Sequence, residues 1–109
     1  MIWFHRIKKV IKVGILGGSF DPPTISHLQL CSEVIYVKRF DQVLIVPCGE
    51  REDKELKNSP NIRLQMLKLA ISDFFSNDFP IKIDDIEVNH GKSIPTYNLI
   101  KMLEEKYKD

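Results

Sequence analysis

The sequence predicts an α/β fold with a parallel sheet, and three observations carry that expectation. Short apolar, β-branched runs at 11–16, 42–46 and from 81 onward alternate with longer segments whose apolar residues recur at helical spacing, giving the order βαβαβα. The runs are nearly continuous in apolar residues, as strands covered on both faces are. The first two close on backbone breakers, Gly17-Gly18 and Pro47.

Length and composition fit one such unit. A chain of 109 residues, 43% apolar and 28% charged, builds a single core and has no room for an independent second domain. Against 15 acidic residues stand 16 basic ones, so the net charge of +1 lacks the concentrated positive field that nucleic acid or a membrane surface demands. Neither partner is expected. Cys31 and Cys48 are too few for a disulfide framework, and no N-terminal stretch has the pattern of a secretion signal. No window approaches the roughly 20 apolar residues of a spanning helix. A cytoplasmic location is the expectation.

Residues 1–10 read as an N-terminal extension, either a loose tail or an added strand, and carry no assigned function. The domain is expected over 11–109. Its first strand, 11–16, is stopped by Gly17-Gly18, which are free to take positive φ. After Pro22-Pro23 a helix is predicted over 24–37, with Leu28, Cys31 and Ile35 on the buried face and Gln29, Glu33 and Tyr36 opposite. The second strand, 42–46, leads into a charged loop over 47–58. Ser59 caps the next helix with Pro60 at its first position. Ile62, Met66, Leu69 and Asp73 follow one side of it, and Leu64, Leu67, Ile71 and Phe74 widen the apolar stripe; Phe74-Phe75 reads as core. In the third strand Ile81 and Ile83 share a face while Ile86 and Val88 have the opposite parity, so a bulge or bend is expected at Asp84-Asp85. The last helix, 96–108, turns Leu99, Ile100, Leu103 and Tyr107 inward and pairs Glu104 with Lys108 outside.

This arrangement is half of a doubly wound sheet, with the first strand where a fourth would join, and the domain is expected to stop before its second half. An apolar parallel strand at an edge invites pairing. The chain is therefore expected to be a fragment of a longer protein or to hide that edge in a homo-oligomer.

The strand-to-helix segment Gly17-Gly18-Ser19-Phe20-Asp21-Pro22-Pro23-Thr24-Ile25-Ser26-His27 concentrates the chemistry. Glycines let a ligand approach the backbone, Thr24 is placed to cap the helix, and the first-turn amides with the positive dipole end make an anion site. His27, at the third helical position, would face an anion there, and a phosphate would favour its charged form. Such a site stabilises charge at phosphorus. A tight turn with a capping or core histidine is the competing reading. The glycine spacing does not match Gly-x-Gly-x-x-Gly, so no dinucleotide cofactor is indicated, and Gly91-Lys92-Ser93 reads as an ordinary turn. His27 and Cys31 have no third ligand nearby, and no resident metal is expected.

This segment resembles the (His/Thr)-x-Gly-His signature of the nucleotidylyltransferase superfamily, and within it the nicotinate or nicotinamide mononucleotide adenylyltransferases. Val46-Pro47-Cys48-Gly49 through Lys54 is similar to that family's Pro-x-Gly segment with its His-Lys pair. Arg63 with Met66-Leu67 resembles its Arg-x-x-Met-Leu helix, and Glu87 with Thr96 nine residues later resembles its Glu…Tyr-Thr-x-Asp-Thr-Leu region. The likeness runs from residue 11 to 103.

The resemblance implies a Rossmann-like three-layer half-domain and transfer of AMP from ATP to nicotinate mononucleotide in NAD biosynthesis, with release of pyrophosphate and Mg²⁺ bridging phosphates. It implies that His27 stabilises the phosphorus centre, with Thr24 in the place of the first histidine. Gly17, Gly18, Ser19 and Phe20 would line the nucleotide with backbone atoms, with Ser26 beside it, Lys54 would reach phosphate, and Thr96 would hold the pyridine end. Three departures stand out. Ser26 replaces the motif glycine, Asp53 replaces the histidine before Lys54, and the family's later Ser-x-Thr-x-x-Arg segment is absent, so an inactive fragment stays among the readings. Phosphopantetheine adenylyltransferases and cytidylyltransferases are the sister alternatives, since Thr24 fits the former. A noncatalytic nucleotide-binding module is the alternative of another class. Without the resemblance, Lys54 reads as part of a solvated charge run, and Thr96 as a helix cap.

Overall fold

A computed structural model describes residues 2–8, 11–51 and 55–107. Asp53, Lys54 and Lys108, and with them the expected Glu104–Lys108 pair, lie outside the described residues. The elements follow as β1 (Ile2–Lys8), β2 (Ile11–Gly18), α1 (Ile25–Tyr36), β3 (Gln42–Pro47), α2 (Pro60–Phe74), β4 (Ile81–Ile83), α3 (Ile86–His90) and α4 (Thr96–Lys106).

One sheet has the order β1-β2-β3-β4. The β2–β3 and β3–β4 pairs are parallel, as expected for strands joined by helical crossovers. The N-terminal extension is a strand: β1 pairs antiparallel with β2, Ile2 opposite Leu16 and His5 opposite Val13, with a register break before Lys8. This corrects the expectation of an open edge. The flank of β2 is hydrogen-bonded to β1 within the chain, so it is not an open edge for a homo-oligomer to pair on.

Alternation along the strands divides the core between two faces. Val13 and Ile15 of β2 with Leu44 and Val46 of β3 pack against Leu99 and Leu103 of α4. Leu16, Val43 and Ile45 point the other way, onto Cys31 and Val34 of α1 and Leu67 of α2. Helices therefore cover both faces, and the three-layer α/β expectation holds. Close seating of α1 depends on Gly14, where a Cβ would come within 2.7 Å of Val34 Cγ1.

Three helical details differ from expectation. In α1 the buried set is Leu28, Cys31 and Val34, with Ile35 half-buried on the flank. In α2 Ser59 accepts the Ile62 N–H at 3.3 Å and Pro60 opens the helix as expected. Its buried residues, however, are Arg63, Leu64 and Leu67, while Ile62, Leu69 and Phe74 are 52%, 66% and 44% exposed. Burial of a guanidinium, which a hydrophobic pattern assigns to solvent, rotates the stripe. Phe75 instead stacks on Phe79, 4.1 Å between ring centroids.

The third difference lies after β4, where the parity change marks a helix, α3, rather than a bulge within a strand. Asp84, 1% exposed, causes the turn: its carboxylate accepts the Ile86 N–H at 3.0 Å, Lys106 Nζ at 2.9 Å and the Tyr107 hydroxyl. The same contacts moor the end of α4. No described helix is long and apolar enough to cross a membrane.

Candidate functional site

Loops leaving the carboxyl ends of β2 and β3 enclose two adjoining clefts. One, of about 360 Å³, is lined by residues including Gly17, Gly18, Ser19, Cys48, Glu87 and Thr96. The other, of about 310 Å³, is lined by Ser19, Phe20, Asp21, His27 and the chain at Leu56-Lys57, among others. Ser19 belongs to both.

The turn between them is built differently from its expected form. Gly17 and Gly18 do not stop the strand; β2 runs through both, opposite Val46 and Pro47. The positive φ falls on Phe20, at 50°, a conformation that costs a non-glycine residue about 1 kcal/mol. Phe20 as a whole is 2% exposed, and its ring packs edge-on to the His27 ring at 4.9 Å and fills the space over Gly18. Burial of that ring offsets the backbone cost. The next residue, Asp21, precedes a cis peptide to Pro22 and accepts the N–H groups of Lys57 (2.6 Å) and Asn58 (3.1 Å) and the Asn58 amide (2.6 Å). The Asn58 side chain, above all, holds the Asp21 carboxyl below the usual carboxylate range.

Thr24 is the N-cap and His27 the third residue of α1, as expected. His27 Nδ1 accepts the Thr24 N–H at 2.9 Å. A backbone amide can only donate, so Nδ1 carries no proton and the neutral ring holds its hydrogen on Nε2. Partial burial lowers the pKa of His27. Nε2 has no partner among the described residues. The ring is thus both cap and cleft wall, and the two readings offered by the sequence coexist.

Under this turn lies Arg63, with no exposed surface. It donates to four carbonyls: Asn58 from Nε at 3.1 Å, Ser19 and Cys48 from Nη1 at 2.9 Å each, and Gly49 from Nη2 at 3.4 Å. One side chain of α2 therefore ties together the loops after β2 and β3. Glu87, 4% exposed, works from the opposite wall and accepts the Gly49 N–H at Oε1, 3.3 Å away. Burial raises the Glu87 pKa despite its hydrogen bonds to Gly49, Ser93 and Ile94. Gly49 admits no side chain, since a Cβ would sit 2.8 Å from both the Glu87 carbonyl oxygen and the Lys92 carbonyl carbon. There the backbones meet in a short bridge, Glu50 N–H to Gly91 O at 3.1 Å and Ser93 N–H to Glu50 O at 2.8 Å.

Of the residues expected at the site, Gly17, Gly18, Ser19, Phe20, His27 and Thr96 are gathered around the two clefts. Thr24 and Ser26 are exposed in the first turn of α1 and line neither. Thr96 is the first residue of α4, whose cap position is Pro95. Sequence reasoning missed the framework of Asp21, Cys48 and Asn58, and read Arg63 and Glu87 only as motif letters. The available signal was a lone arginine inside an apolar helical stripe. Among the described residues, no three His, Cys, Asp or Glu side chains are grouped to hold a metal ion.

Known proteins share the sequence pattern and the fold of this chain. A family described as cytidylyltransferase-like matches residues 15–107. A probable nicotinate-nucleotide adenylyltransferase of Bacillus licheniformis is 35% identical over 101 residues, which make up 90% of this chain and 51% of that protein. One from Roseiflexus is 36% identical over 96 residues, 86% of this chain and 46% of the relative. Among solved structures, a Plasmodium falciparum nicotinic acid mononucleotide adenylyltransferase complexed with NaAD superposes with a TM-score of 0.72 at 30% identity, over 87% of this chain and 46% of that one. The chain spans about half the length of the curated relatives it matches.

Proposed function

Because the chain belongs to the cytidylyltransferase-like family, we propose that its paired clefts bind ATP and nicotinate mononucleotide for transfer of an adenylyl group in NAD biosynthesis. The observation that carries this reading is that Ser19, Phe20 and His27, the last with its Nδ1 occupied by the Thr24 N–H, line one cleft. The names of the relatives supply the acceptor.

In the reaction, a phosphate oxygen of the mononucleotide attacks the α-phosphorus of ATP. The new P–O bond forms as the bond to the β-phosphate bridging oxygen breaks, and pyrophosphate carries away that electron pair. Phosphoryl transfer of this kind depends on positioning and charge stabilisation rather than on a protein nucleophile. His27 would donate from Nε2 to a phosphate oxygen while Thr24 fixes its tautomer. A bound phosphate would raise the His27 pKa, opposing the effect of burial. Gly17, Gly18 and Ser19 would border the nucleotide, and Thr96 the pyridine end. Mg²⁺ would arrive with the triphosphate and neutralise charge developing on its oxygens. Lys54 as a phosphate ligand belongs to the same proposal.

Calorimetric titration of the chain with ATP, nicotinate mononucleotide and phosphopantetheine, beside a pyrophosphate-release assay, tests the reading. Binding of ATP and nicotinate mononucleotide with release of pyrophosphate is expected. Use of phosphopantetheine instead would move the chain to the sister activity. Nucleotide binding without release would favour a noncatalytic module, the reading motivated by Ser26 in the motif-glycine position.

A further inference from the structure

We infer that Arg63 is a positioning residue that orients the Phe20 N–H as a hydrogen-bond donor to a phosphate group of the nucleotide; this deepens the proposed function and rests on it.

In a trans peptide the C=O of one residue and the N–H of the next point in opposite directions. Arg63 Nη1 fixes two carbonyls in this way, those of Ser19 and Cys48, both at 2.9 Å. The Cys48–Gly49 peptide is held from both sides, its carbonyl by Arg63 and its N–H by Glu87 Oε1 at 3.3 Å. Neither of those groups is left to meet a ligand. The Ser19–Phe20 peptide has the same anchorage on its carbonyl side only. Its N–H is turned away from the guanidinium and finds no acceptor among the described residues.

Two further facts give that N–H its significance. Phe20 sits at φ 50°, a conformation unfavourable for a bulky residue that the fold nevertheless imposes here. Its neighbours in space are Ser19 and His27, the residues of the cleft proposed for phosphate. Arg63 itself is fully buried, so it cannot touch the ligand directly. It acts through the peptide plane, and its positive charge behind that plane further polarises the N–H toward an anion. Lysine carries the same charge but lacks the planar fork that reaches several carbonyls at once.

The experiment is a ¹H–¹⁵N titration of the whole chain with inorganic pyrophosphate and with ATP, comparing wild type, Arg63→Met and Arg63→Lys, with folding followed by circular dichroism. In wild type the Phe20 amide is expected to be among the most displaced on binding. Arg63→Met is expected to weaken pyrophosphate binding about tenfold or more, the scale of one charge-assisted hydrogen bond. It should also abolish that displacement, and Arg63→Lys should restore part of both. Should Arg63→Met fail to fold, the Lys variant decides by the same two readouts. Unchanged affinity and an unchanged Phe20 displacement in a folded variant would overturn the inference and leave the proposed function standing. So would a wild-type chain that binds ATP while the Phe20 amide stays still. A wild-type chain that binds neither probe defeats the proposed function, and the inference with it.

Discussion

His27 receives the Thr24 backbone N–H on Nδ1, 2.9 Å away, and this single bond assigns the hydrogen of the imidazole to the opposite nitrogen. The residue therefore has a capping nitrogen and, under the proposed function, a ligand-facing one. For His27→Ala, loss of the capping contact is expected to cost about 1 kcal/mol in urea unfolding. ATP affinity, measured by calorimetry, is expected to fall about tenfold or more. A large loss of stability with binding per folded molecule unchanged would remove the ligand role.

Ser26 stands at the second position of α1 with its side chain exposed. Ser26→Gly should leave ATP affinity equal or tighter, with a helix-propensity cost below about 1 kcal/mol in the same unfolding assay. A marked loss of affinity would show that the hydroxyl binds the nucleotide itself.

Gly49→Ala tests the junction between the two cleft walls. The added methyl would lie 2.8 Å from backbone atoms of Glu87 and Lys92, neither of which can move as a side-chain tip can. A destabilisation of about 1–3 kcal/mol is expected, the range for forced overpacking, read from the urea midpoint. An unchanged midpoint would mean that the bridge between Glu50 and Lys92 opens freely.

Glu87 offers a test by pH. Burial raises its folded pKa above the unfolded value, so the folded state binds its proton more tightly. Its contribution to stability is then greatest at low pH and is lost as pH rises through the folded pKa. Glu87→Gln keeps a carbonyl oxygen for the Gly49 N–H and removes the charge. The variant should gain on wild type in urea midpoint as pH is raised from about 4 to about 7. A difference that stays flat over that range would contradict the assigned direction.

Much of this architecture was legible because strands buried on both faces have few ways to be written. The runs that became β2 and β3 declared themselves by continuous apolar residues, and Ser59-Pro60 marked the start of α2 by two independent rules of helix initiation. The turn glycines misled, since the left-handed conformation went to Phe20, where a buried ring compensates for a backbone cost that propensity alone counts as prohibitive. The face of α2 was misjudged for a related reason. A pattern of apolar letters places arginine outside, whereas Arg63 is buried because backbone carbonyls from distant loops satisfy it. Contacts between residues 44 and 15 positions apart, Ser19 and Cys48 with Arg63, leave no trace in local periodicity.

A strand has two lateral rows of hydrogen-bonding groups, and in β2 one row faces β1 and the other β3. Doubly wound sheets set their next parallel member on the flank that β1 occupies here. The antiparallel ribbon and such a newcomer are thus mutually exclusive tenants of one side: the first must peel off before the second can zip on.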